Sequence, residues 1–271
     1  MGVRSYIIRG GDLGVDRLRV LGRATWAGTE RALRRAGIRA GMHCLDFGCG
    51  AGDVSVALAK VVGPAGRVVG IDMDEAALER ARALAREQGV AVEFVAGRCE
   101  EAAWSGEFDL SYSRFLLSHL TDPAAGLRRL AEATRPGGTV VVEDVNIPVH
   151  ICYPPRPSFA RYVGLYVDCA RRRGADPELG LKLVSMFVDA GLVDVEVDVS
   201  MPTFRSGEGK QIARLTLAAI ADAAIAGGLT DREEVDRLLD DLTLFEADPA
   251  SIMSTAQTIQ VRGRKPVEPG A

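Results

Sequence analysis

The stretch "LDFGCGAGD", residues 45–53, decides the fold. The apolar run "HCLDF" (43–47) reads as a short buried strand. Gly48, Gly50 and Gly52 then supply a tight turn, because only glycine enters the left-handed backbone region at little steric cost. "DVSVALAKVV" (53–62) follows with helical spacing. A strand, a glycine turn and a helix open a nucleotide-binding unit, and the acids in and around the turn bear on which nucleotide it takes.

Working outward, strand-like and helix-like segments alternate. "GRVVGIDM" (66–73) is a strand, and "DEAALERARALAREQG" (74–89) is a helix with acids first and a glycine stop. "AVEFVAG" (91–97) and "FDLSYS" (108–113) are strands. "DPAAGLRRLAEATRPGG" (122–138) starts on an Asp cap with Pro at the first helical position and is expected to end at Gly137-Gly138. "TVVVEDV" (139–145) is the next strand. Near-continuous apolar strands alternating with helices imply a parallel sheet covered on both faces. Later, residues 176–192 read as a helix, "VDVEVDVS" (193–200) as a half-exposed strand, 207–247 as two helices split by "GGLTD", and "AQTIQVRGR" (256–264) as a last strand. The Pro-rich connection "NIPVHICYPPRPSF" (146–159) and the inserted helices are expected over the carboxyl ends of the strands, where open α/β sheets bind ligands.

Composition narrows the function. The 271 residues are 47% hydrophobic and 26% charged, which suits a globular protein with a proper core. A net charge of −4 gives no general affinity for nucleic acid or an anionic membrane. The most apolar stretch, residues 215–229, is too short to span a bilayer and carries Asp222. Five cysteines, odd in number and without C-x-x-C spacing, read as reduced thiols of a cytoplasmic protein and as neither a disulfide framework nor a zinc site. The N-terminus has no apolar core of the kind a signal peptide needs.

The turn also discriminates between cofactors. A dinucleotide fingerprint wants G-x-G-x-x-G, whereas the spacing here is G-x-G-x-G with Asp53 where the third glycine would open the helix. Asp46 and Asp53 bracket the turn, and a carboxylate within about 5 Å of a phosphate repels it by about 1 kcal/mol in water. S-adenosylmethionine (SAM), with a positive amine and a sulfonium, has the opposite preference. Asp72, 24 residues after Gly48, stands where a carboxylate accepts ribose hydroxyls, a feature NAD enzymes share.

"LDFGCGAGDVSVALA", "VVGIDMDEAALERAR", "FVAGRCEEAAWSGEFDL" and "HLTDPAAGLRRLAEATRPGGTVVVED" together resemble the class I SAM-dependent methyltransferases, and more narrowly those acting on small molecules of quinone and natural-product pathways. The resemblance is dense over about residues 40–145. It implies a Rossmann-like, mostly parallel seven-stranded sheet with helices on both faces, in one domain. Residues 1–38 would form an N-terminal helical gate, and 146–175 and 203–255 lid insertions shaping the acceptor pocket. Asp46, Gly48, Cys49 and Gly50 would surround the methionine part of SAM, Asp72 the ribose, and Met73 the adenine. Arg98 and Cys99 stand where the family has an acid followed by a small residue, and Arg98 cannot accept a hydrogen bond from the adenine amine. Either Glu100 or Glu101 substitutes, or backbone makes the contact while Arg98 turns outward. Arg114 matches a position that contacts SAM through its backbone, and Tyr6 and Arg17 are gate residues that would reach the cofactor, with Trp26 packing.

The implied reaction is methyl transfer to a small-molecule acceptor, leaving S-adenosylhomocysteine (SAH). For proton removal the candidates are His119, after the fourth strand, His150, on the Pro-rich connection, and Glu143, at the end of the fifth. Each residue also has a structural reading: His119 as a cap, Glu143 and Asp144 as neighbours on opposite strand faces, and Cys49 as a buried filler. No metal is expected, since Glu143-Asp144 alone is a thin ligand set. A homodimer is the expected assembly, with no nucleic-acid or membrane partner. A cyclase or isomerase of the same fold, or a SAM-binding protein without catalysis, are the alternatives.

Overall fold

The computed structural model describes residues 12–267. In chain order its elements are α1 (Asp12–Arg35), β1 (His43–Phe47), α2 (Asp53–Val62), β2 (Arg67–Asp72), α3 (Glu75–Glu87), β3 (Glu93–Ala96), β4 (Phe108–Arg114), α4 (Pro123–Ala133), β5 (Thr134–Asn146), β6 (Cys152–Tyr153), α5 (Pro157–Arg172), α6 (Leu183–Asp189), β7 (Val193–Ser200), β8 (Thr203–Phe204), α7 (Ile212–Ala226), α8 (Arg232–Ala247), β9 (Ile252–Ser254) and β10 (Gln257–Arg264). The described residues divide into two units: 29–144, 179–198 and 259–267 form a sheet unit, and 12–28, 145–178 and 199–258 form a helical unit.

The sheet unit is built on seven strands in the order β3-β2-β1-β4-β5-β10-β7. The first five pair in parallel, with Asp46 level with Gly70 on one side and Tyr112 on the other, and Arg114 level with Glu143. Strand order reverses between β1 and β4, the switch point where such sheets open a crevice at their carboxyl ends. Leu45, Phe47, Val69, Ile71, Val140 and Val142 form the strand side of the core, and Leu127 and Leu130 of α4 close on it. Each fully buried side chain of this kind contributes about 1.5–3 kcal/mol. Asp74 caps α3 by accepting from the amides of Ala76 and Ala77, and Asp122 caps α4 through Ala125.

The helical unit packs α5, α7 and α8 around Phe159, Leu165, Leu217, Ile220, Leu242 and Phe245. A small antiparallel sheet, β6-β9-β8, belongs to the same unit. It was not legible in sequence, because its strands are two or three residues long and pair over about fifty to a hundred positions. Helix α5 begins in the last three residues of what reads as a Pro-rich connection. Pro157 is its first residue, and Phe159, Tyr162, Tyr166 and Cys169 recur at helical spacing on its buried face.

Two expected boundaries are corrected. The helix expected over 122–138 ends at Ala133, and Thr134 already opens β5. Pro136 is the reason, since it biases Arg135 away from the helical region and offers no amide proton. Thr134 secures the break by donating its hydroxyl to the Leu130 carbonyl at 2.8 Å. The helix expected over 176–192 is a 3-10 turn, Leu179–Lys182, followed by the short α6.

Gly52 is required by both packing and backbone. It has φ +83°, and a Cβ there would stand 2.8 Å from Ala81 Cβ and 3.1 Å from its Cα. Gly50, at φ +52°, has open space instead. Gly52→Ala is expected to cost about 2–4 kcal/mol in urea denaturation and Gly50→Ala about 1–2 kcal/mol. Equal losses would show that the close approach to α3 is immaterial.

Candidate functional site

The switch point gathers polar groups from four neighbouring strands. The amides of Gly48 and Cys49 both donate to the Ile71 carbonyl, tying the glycine turn to β2. The Gly50 amide donates to Asp72 Oδ2 at 2.8 Å, while Asp72 Oδ1 accepts from the Asp74 amide at 2.9 Å. Asp72 is half-buried, and Met73 beside it is 55% exposed for so apolar a side chain. Asp46 lies beneath the turn, 2% exposed, and accepts from Ser55 Oγ at 2.6 Å. Burial pushes its carboxyl up to about 6, with Ser55 and Arg114 opposing the rise and Asp72 adding to it.

Beyond β1, the ends of β4 and β5 carry a second cluster. Glu143 is buried, and its two oxygens accept from the Tyr112 hydroxyl and from Gln260 Nε2, the latter at 2.6 Å. Arg114, its register partner on β4, donates from Nη1 to Thr29 Oγ1 at 3.1 Å. Burial works against the Arg114 charge, yet the carboxylates of Glu143, Asp46 and Asp53 help to hold its pKa above the ordinary value. Burial pushes the Tyr112 phenol far up, with Glu143 adding to it, so it stays protonated and donates. Phe115 follows with φ +56°, a left-handed conformation that a bulky residue seldom takes, and its amide donates to the Glu143 carbonyl. That reversal turns Leu116 onto Gly48, where an added Cβ would meet it at 2.8 Å.

The residues singled out from sequence fall into three groups. Asp46, Gly48, Cys49, Gly50, Asp72 and Arg114 come together at the ends of β1, β2 and β4, with Met73 following Asp72. Cys49 and Cys99 are buried thiols whose pKa values burial pushes far above the ordinary range, so neither is a nucleophile. Arg98 turns onto Glu100 at 3.0 Å and Glu101 at 3.4 Å. His119 ends a 3-10 turn after β4, half-buried, next to Ser118, whose amide donates to Asp144. Glu143 and Asp144 do face different partners.

Arg17 and His150 belong to the helical unit. Arg17 is buried and donates from Nε to Thr216 Oγ1 at 2.8 Å. The His150 ring meets the edge of Phe159, its Nδ1 is buried without a hydrogen-bond partner, and burial brings its pKa down to about 4. Tyr6 lies outside the described residues. Ser55, Thr29, Tyr112 and Gln260 were missed in sequence. They are unremarkable polar residues within elements, and only their neighbours across the sheet give them a role. Among the described residues no group of three or more His, Cys, Asp or Glu is placed to hold a metal ion, and no helix is long and apolar enough to cross a membrane.

With this geometry in view, the comparisons with known proteins are specific. The family described as "Methyltransferase domain" matches residues 38–158. Residues 38–158 thus match a methyltransferase domain in sequence. An uncharacterised 37.1 kDa protein of transposon TN4556 from Streptomyces fradiae is 31% identical over 206 residues, 75% of this chain and 58% of that protein. A ubiquinone biosynthesis O-methyltransferase from Pseudomonas aeruginosa is 40% identical over 114 residues, 41% of this chain and 47% of the enzyme. The chain thus spans about half the length of these curated relatives. Among solved structures, a putative methyltransferase from Bacillus halodurans superposes with a TM-score of 0.60 at 20% identity, over 88% of this chain and 98% of that one, a likeness of fold.

The Asp46 carboxyl binds its proton more tightly in the fold than an ordinary carboxyl near 3.8. The resulting stability is fully present below pH ~4 and is lost as pH rises through about 6. The ionised group therefore costs the fold up to about 3 kcal/mol at pH 7.5. Asp46→Asn, which keeps an acceptor for Ser55, is expected to raise the ligand-free melting temperature at pH 7.5 and to change it little at pH 4. Destabilisation at both pH values would refute this assignment.

Proposed function

We propose that the protein transfers a methyl group from SAM to a small-molecule acceptor. One observation carries this reading: Asp46 is held under the glycine turn at an electrostatic cost that a cationic ligand would relieve. The donor set suits the cofactor, since acids and backbone groups line the turn where a phosphate would be repelled. Asp46, Gly48 and Gly50 are assigned to the methionine part, Asp72 to the ribose, and Met73 with the backbone after β3 to the adenine. When bound, SAM supplies a methyl group already activated on a sulfonium.

The remaining task belongs to the chain: to align the acceptor with the methyl, to exclude water and to take a proton where the acceptor needs it. His119 is the residue we assign to proton removal, supported by its half-buried place just after β4. Glu143 has both oxygens engaged and is assigned to holding Tyr112 and Arg114 in place. His150 stays neutral across physiological pH and is assigned to acceptor contact. Segments 146–175 and 203–255, with the N-terminal helix, are assigned to acceptor selection. A quinone-like or secondary-metabolite acceptor is favoured, supported by the likeness to the ubiquinone O-methyltransferase. Five free cysteines support a reducing, cytoplasmic setting.

Calorimetric titration tests the reading. SAM and SAH are expected to bind with micromolar affinity and NAD not at all. Asp72→Ala should lower both affinities by about tenfold or more, a loss of about 1.4 kcal/mol. Asp46→Asn should weaken SAM more than SAH, because only SAM carries the sulfonium charge. Absence of SAM binding would overturn the proposal, and SAM binding without SAH release on any acceptor would favour a cyclase or non-catalytic role.

A further inference from the structure

Arg17 is the most buried arginine among the described residues of the helical unit, 6% exposed, and no carboxylate among them pairs with it. Its Nε donates to Thr216 Oγ1 at 2.8 Å, and the two terminal nitrogens of the guanidinium make no hydrogen bond to a described residue. The half-buried arginines of the same unit are treated differently. Arg156 pairs with Asp241, Arg161 with Glu234 and Arg214 with Glu246. A guanidinium offers five donors in a planar fork that matches a carboxylate, and burying one with a single hydroxyl as partner is costly unless an anion completes it.

The surroundings add a second donor and an aromatic wall. Tyr162, 5% exposed, faces both Arg17 and Thr216, and burial pushes its phenol up to about 12, so it remains a donor at neutral pH. Phe159 meets Tyr162 edge to face at 5.6 Å, and His150 meets Phe159 at 5.6 Å from the other direction. Val20 and Leu217 join the same buried cluster. A cationic fork, a phenol and a run of rings form a chemistry that selects a planar ligand bearing one negative group.

We propose that Arg17, with Tyr162 and Thr216, is an anion-recognition site that takes the carboxylate of an aromatic acid, so that the methyl acceptor is an acid-bearing small molecule. The identity of the ligand as acceptor rests on the methyl-transfer reading, and the same carboxylate chemistry is present on SAM and SAH. The two sources are separable by titration, with binding of an acid measured independently of any turnover.

The experiment titrates the full chain with sodium benzoate and with benzamide, its neutral counterpart, and separately with SAH and with decarboxylated SAH. Wild type is expected to favour benzoate over benzamide by about tenfold. Arg17→Met should abolish that preference, leave SAH affinity within about twofold, and hold or raise the melting temperature, because a buried charge with no carboxylate partner among the described residues is removed. Tyr162→Phe should lower the preference by about threefold. No benzoate preference in wild type, or its survival in Arg17→Met, would overturn the site. An Arg17→Met loss for SAH but not for decarboxylated SAH would assign the carboxylate to the cofactor and overturn the acceptor proposal. Should Arg17→Met fail to fold, Arg17→Lys, which keeps the charge but loses the planar fork, is read in its place, and an unchanged benzoate preference there would overturn the fork assignment. SAH binding by itself reports on the methyl-transfer reading, so the two can fail separately.

Discussion

The hydrogen bond from the Gly50 amide to Asp72 is the constraint on which the sheet unit's site depends. With the Gly48 and Cys49 amides on the Ile71 carbonyl, it joins the turn after β1 to the end of β2, so the loop proposed to cradle a cofactor and the acid proposed to read its ribose are held together. It demands a left-handed backbone at Gly50 and leaves Asp72 with its other oxygen on the amide of Asp74. Asp74 in turn caps α3, whose Ala81 lies against Gly52. Turn, strand end and helix start therefore hold one another. Substitution of any of these small or acidic residues would be felt by the other two.

Charge is the second organising theme. Within the sheet unit, Asp46 and Glu143 are buried carboxylates on neighbouring parts of the switch point, and Arg114 is the cation that answers them. Buried charges survive only with partners, and here the partners come from Ser55, Tyr112, Gln260 and Thr29. The arrangement is well compensated at Glu143, where both oxygens accept. It is poorly compensated at Asp46, whose raised pKa records the deficit. Functional sites often retain such deficits, because a ligand of opposite charge removes them on binding. In the helical unit, buried Arg17 donates to the Thr216 hydroxyl and has no carboxylate partner among the described residues.

Much of the framework was legible because it obeys local rules. Residues 43–47, 53–62 and 193–200 match their elements residue for residue, since apolar alternation, a glycine turn and acid-first helices report backbone state directly. The errors have equally local causes. Pro136 stops α4 earlier than the glycine pair that follows it, and the prolines before α5 read as a connection although Pro157 is the first residue of a helix. The paired strands of the small sheet lie about fifty to a hundred positions apart, and no local signal predicts a two-residue strand.

The sequence by itself determined the alternation of strands and helices, the glycine turn and the acidic residues around it, because spacing and backbone preference act over a few residues. Tertiary structure decided which polar side chains serve the site. Whether Tyr112, Ser55 or Gln260 matters depends on which carboxylate lies opposite, and strand order and register set that across gaps of 9 to 117 positions. It also decided that Arg98 folds onto Glu100 and Glu101 while Arg17, among the described residues, meets only a hydroxyl. A charge is written in the chain, but its partner and its burial exist only once the chain has folded.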